Sequence, residues 1–132
     1  MRTISIKTIP HEKQRYNTTG DYESSAEETV ISISQMRNEQ FEFLVAIHEL
    51  VESFLCQQAG ITDAAIDAFD FDFAAKRAPN DAAEPGDESV APYHAQHEFA
   101  KRIERLVAEE LGVDWEAYDA CTSALMKARG ND

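Results

Sequence analysis

The sequence predicts an α+β domain: a small antiparallel sheet at the N-terminal end, packed on three to four helices. Two observations carry this expectation. The runs that alternate polar with β-branched residues fall before residue 36, and the long runs with helical spacing fall after it. "TISIKTI" at 3–9 alternates as a half-buried strand does, and "TVISIS" at 29–34 repeats the pattern. "GDYES" at 20–24 suits a shorter strand paired with the second through the acidic turn "SAEE". Between the first run and these, Pro10, Gly20 and a cluster of Asn, Thr, Asp and Ser read as loop.

Asn38 is a good N-cap for a helix running to Gln58, with Gly60 as its stop. Residues 62–77 suit a shorter helix opened by Thr62, although their middle, "FDFDF", also alternates as a strand does. "APNDAAEPGDESVAP" at 78–92 is a long acidic loop expected to border a functional site and to act as its lid. Pro92 can open the next helix in its first turn, with Leu111 its end and Gly112 its stop. Asp114 caps the last helix, "WEAYDACTSALMKAR". The expected organisation is one domain over 1–132: strands and turns to 36, a central helix over 37–60, the loop, and helices over 92–130.

Composition narrows the function classes. A formal net charge of −13 argues against nucleic acid and anionic membrane surfaces as partners, because both need a basic face. The longest apolar stretches are far below the roughly 18 residues of a membrane span. The N-terminus shows no secretion signal, so the cytoplasm is the expected address. Cys56 and Cys121 lie on separate helices and form no CxxC, and both read as small buried apolar groups. "NTT" at 17–19 matches a glycosylation acceptor but reads as a turn, and His11 nearby reads as solvated. Phe41, Phe54, Trp115 and Tyr118 read as packing residues.

The stretch "FLVAIHELVESFLC" at 43–56 stands out. At about 100° per residue, taking His48 as zero, Phe41 falls near +20°, Leu55 near −20° and Glu52 near +40°. An imidazole and a carboxylate thus share an apolar stripe one turn apart. An ionised carboxylate buried there needs a shared proton, a partner or a cation. A cation explains the spacing, since side chains at i and i+4 reach the same point. Glu49, a third of a turn round, can reach a water on that ion without ligating it.

"HELVE" resembles the active-site helix of the zincin-like metallohydrolases, with Glu52 where the second histidine is expected. The stretch from "HELVE" through "FD" and "EPGD" to "PYHAQHEFA" is similar to small uncharacterised phage and prophage proteins, the likeness covering roughly residues 20–118. The resemblance implies His48 and Glu52 as metal ligands, Glu49 as general base, and hydrolysis of peptide or amide bonds by a zincin-like fold. The ion it implies is a divalent metal, zinc first. An oxygen donor in place of imidazole hardens the site toward manganese, iron or magnesium.

A third ligand has to come from downstream. On the helix that follows the loop, His97 lies about 130° from the apolar stripe of Phe99, Ile103, Leu106 and Leu111, on the same side as Ala100 and Glu104. His97 is preferred over His94 because Glu104 shares its face and can orient it. Asp70 and Asp72 remain candidates, either as ligands or as carboxylates holding an imidazole. Three functions stay open. They are a metal-dependent hydrolase, a non-catalytic phage accessory or inhibitory binding protein on the same scaffold, and an all-helical nucleotide pyrophosphatase, which the alternating N-terminal runs disfavour. For His48 and Glu52 the plain alternative is a buried, hydrogen-bonded pair without an ion.

Overall fold

The computed structural model describes residues 2–130. Three strands, β1 (Thr3–Ile9), β2 (Gly20–Ser24) and β3 (Glu28–Ser34), precede four helices, α1 (Glu39–Gln58), α2 (Asp63–Lys76), α3 (His94–Leu111) and α4 (Trp115–Arg129). The α+β class follows the sequence expectation. A three-stranded sheet also separates the chain from the strand-free pyrophosphatase scaffold.

The sheet order is β1-β3-β2, and it is mixed, not purely antiparallel. β2 and β3 form the expected hairpin, Tyr22 opposite Ile31, closed by the Ser25 N–H donating to the Glu28 carbonyl and the Glu28 N–H donating to Ser25 Oγ. β1 pairs with β3 in parallel, Ile6 opposite Ile31. Residues 10–19 cause the difference by carrying the chain across the end of β3 before β2 begins. That crossing is pinned from below: His11 Nδ1 lies 2.8 Å from Ser34 Oγ, and Gln14 Nε2 donates to the Ser32 carbonyl at 3.1 Å. His11 is therefore buried, not solvated. Asn17, fully buried and donating to the Met126 carbonyl, is no glycan acceptor either.

The helix signals act as read. Asn38 Oδ1 accepts from Phe41 N at 3.1 Å, Thr62 Oγ1 from Ala65 N at 3.2 Å and Asp114 Oδ1 from Glu116 N at 3.1 Å. Gly60 and Gly112 follow α1 and α3 in left-handed conformation. "FDFDF" is helical, and α3 begins at His94, two residues beyond Pro92, with Tyr93 at its N-cap. The loop between α2 and α3 holds a single 3-10 turn, Pro85–Asp87. One apolar cluster joins Tyr22, Ile31 and Ile33 of the sheet to Leu44, Val45 and Cys56 of α1, and reaches Tyr118 of α4. Phe54, read as a packing residue, is instead exposed.

Candidate metal centre

α1 and α3 run antiparallel and turn polar faces to each other. His48 and Glu52 on α1, and His97 and Glu104 on α3, are all less than a tenth exposed. Ala100 and Ala108, both buried, let the backbones approach. The apolar stripe of α3 points elsewhere, with Phe99 and Leu106 exposed. Complementarity between carboxylates and imidazoles, not apolar area, therefore selects the face of α3 that packs on α1.

Three donor atoms converge at this interface. His48 Nε2 lies 3.2 Å from Glu52 Oε1 and 3.1 Å from His97 Nδ1, and His97 Nδ1 lies 2.9 Å from the same Glu52 oxygen. The other nitrogen of each ring is already engaged. His48 Nδ1 lies 2.7 Å from Glu104 Oε1, and His97 Nε2 lies 2.9 Å from Asp87 Oδ1 and 3.2 Å from Glu84 Oε2. An ionised carboxylate only accepts, so these outer nitrogens carry the hydrogens. In neutral rings the inner nitrogens are then lone pairs, aimed with Glu52 Oε1 at one point. Extra protons or a cation must lie among them.

The surroundings welcome positive charge. Burial opposes charging His97, but bonds to Asp87, Glu52 and Glu84 prevail and push its pKa up to about 12. His48 is likewise raised well above the usual imidazole range, by Glu104 and Glu52 against burial. Glu52, which burial alone would raise, is held down at about 2 by hydrogen bonds from both rings. The outer carboxylates are themselves held: Tyr118 Oη donates to Glu104 Oε2 at 2.5 Å, and Lys101 Nζ to Asp87 Oδ1 at 2.5 Å. Two imidazole nitrogens and one carboxylate oxygen, each ring backed by a carboxylate, form a donor set that fits a divalent ion.

Glu49 sits beside the triad, partly buried, with no hydrogen bond or ion pair among the described residues. Burial, then the neighbouring Glu52, push its pKa well above the usual carboxylate range. β2 makes room for it: a Cβ on Gly20 would lie 2.7 Å from Glu49 Cγ and 2.8 Å from Oε1. A cavity of about 420 Å³ opens onto Glu49, His48, Glu52 and His97, with Asp21 and Tyr22 of β2 in its wall.

The structure thus brings together His48, Glu52 and His97, with Glu49 alongside. It does not bring in the other candidates. His94 Nδ1 donates to the Gly86 carbonyl at 2.9 Å. Asp70 is buried but accepts from the hydroxyls of Tyr16 and Tyr93, and among the described residues no hydrogen bond joins it to an imidazole. Asp72 is exposed and pairs with Lys76 at 3.1 Å. Sequence reasoning placed the acidic loop at the site without naming its contributors, Glu84, Gly86 and Asp87. Gly86 lies so close to His97 that an added Cβ would stand 2.5 Å from the ring. The signal was a glycine between acids, "EPGD", just before a histidine-bearing helix. No family model matches the chain, and no curated protein or solved structure does.

Proposed function

We propose that this chain is a metal-dependent hydrolase of zincin-like type, with His48, Glu52 and His97 holding a divalent ion and Glu49 acting as general base. The observation that carries the reading is the convergence of three acceptor atoms whose outer partners already take the ring hydrogens. When bound, the ion would polarise a substrate carbonyl and acidify a water. Glu49 would take the proton from that water. Its carboxylate faces the cavity without a competing partner, and a carboxylate whose pKa is raised is suited to accept and return a proton near neutrality. A cation beside it would draw that pKa back down. Glu104 and Asp87 keep each ring in the tautomer that presents its inner nitrogen. Amide and peptide bonds are the substrate class suggested by the resemblance of "HELVE".

The test is elemental analysis of protein purified without chelator, followed by a peptide-library digest. About one metal ion per chain is expected, lost in His48→Ala and Glu52→Ala, and cleavage is expected to vanish in Glu49→Gln. Protein that holds no metal and takes none up overturns the reading.

A second reading, a non-catalytic binding protein, draws on the exposed Phe43, Phe54, Phe99 and Leu106 of α1 and α3. There Glu49→Gln leaves the biological effect intact. A phenotype abolished by that substitution counts against it.

A further inference from the structure

We infer that the His48–Glu52–His97 triad forms one face of a six-coordinate ion site, leaving three adjoining positions open to the cavity for a ligand that chelates through two oxygens. The inference rests on the metal-centre reading above and goes further, to the geometry of the site and the ligands it accepts.

Donor spacing is the first ground. With metal–donor bonds of roughly 2.1 Å, tetrahedral donors stand about 3.4 Å apart and donors sharing an octahedral face about 3.0 Å apart. Of the three separations here, 2.9 and 3.1 Å match the octahedral value and 3.2 Å falls midway between the two. Helix packing holds them there. Two donors are a single turn apart on α1, and the third is fixed by Asp87 and by Gly86 against its ring.

The second ground is the count of protein donors. Among the described residues the triad's group contains these three side chains and no fourth. Glu104 and Asp87 are committed to the outer ring nitrogens. Two nitrogens and one oxygen from the protein on one side, with open positions opposite, is a facial arrangement that binds several ligands at once.

Space is the third. The cavity of about 420 Å³ that the triad lines exceeds by several-fold the volume of three waters at roughly 30 Å³ each. Glu49 lies in the wall of this same cavity, so a chelated ligand would sit beside the base.

Cobalt(II) separates the possibilities, because its visible bands are weak in six-coordinate and intense in four-coordinate sites. The metal-stripped chain is titrated with cobalt(II) alone, with His48→Ala as the control for ions held elsewhere on this acidic chain. The expected result is one cobalt per wild-type chain with weak bands, and a loss of affinity of about 100-fold or more in the control. Acetohydroxamate, a two-oxygen chelator, should then shift the weak bands with one equivalent per chain. Intense four-coordinate bands, or no response to acetohydroxamate, overturn the six-coordinate assignment while leaving the metal centre standing. Cobalt binding that matches the control overturns both.

Discussion

Glu52 and Asp70 are two carboxylates buried to nearly the same depth, 4% and 6% exposed, and each accepts hydrogen bonds from two side chains. Their protonation goes opposite ways. Glu52 is pulled down to about 2, while Asp70 is pushed up to about 7. Burial is the leading influence on both and raises both, so the partners decide. Imidazoles can carry positive charge and repay the desolvation of Glu52. The hydroxyls of Tyr16 and Tyr93 donate hydrogen bonds but stay neutral, and they offset only part of the burial of Asp70. A buried acid next to groups that can become cations is a place for charge, and a buried acid among phenols is a place for a proton.

The largest expected effect is at the charged member of the pair. Glu52→Ala leaves two buried imidazoles without their shared acceptor and is expected to cost about 3–5 kcal/mol in chemical denaturation and, on the proposed function, to abolish metal binding. Next is Gly86→Ala. A Cβ 2.5 Å from the His97 ring must displace it, so a loss of about 1–3 kcal/mol and a roughly 10- to 100-fold weaker metal affinity are expected by calorimetry. Gly20→Ala presses instead on Glu49 and Val45, so on the proposed function metal should be kept while cleavage falls.

The pH responses sharpen the contrast. His97 has a raised folded-state pKa, so its contribution to metal-free stability is complete below about 6.5 and is lost as pH rises toward about 12. On the proposed function a metal ion would have to displace the inner protons, so affinity should rise with pH, with up to about two protons released per ion, read by calorimetry in buffers of different ionisation enthalpy. Asp70 also has a raised folded-state pKa, so its contribution is complete below about 3.8 and is lost as pH climbs through about 7. Asp70→Asn stays neutral. Its stability relative to the parent protein should therefore improve by on the order of 1–3 kcal/mol between pH 4 and 8, measured by denaturant titration at both ends. The smallest effect belongs to Asp72→Asn, which breaks an exposed pair with Lys76 and should change stability by less than about 0.5 kcal/mol.

Much of this was legible locally. Caps at Asn38, Thr62 and Asp114 mark three helix starts, because capping depends on a few neighbouring residues. The one-turn spacing of His48 and Glu52 places both on one face from helix geometry alone, and the shared side of His97 and Glu104 on α3 follows the same arithmetic. What was hidden depends on contacts distant in sequence. The parallel pairing of β1 depends on how residues 10–19 cross the end of β3, and no periodicity encodes that path. Gly20 and Gly86 read as ordinary turn residues until the fold presses Glu49 and His97 against them. Asp70, read as ligand or support for an imidazole, is drawn to two tyrosines that lie 54 and 23 residues away.

The far end of the molecule also has a grip on Glu49. Asn17 clasps the carbonyls of Met126 and Gly130, and Arg129 reaches back to the carbonyls of His11 at 2.8 Å and Gln14 at 3.1 Å. The strap running from His11 to Thr19 delivers Gly20, the residue on which Glu49 rests. Shearing off the last turn of α4 would slacken that strap and unseat a side chain more than seventy positions upstream.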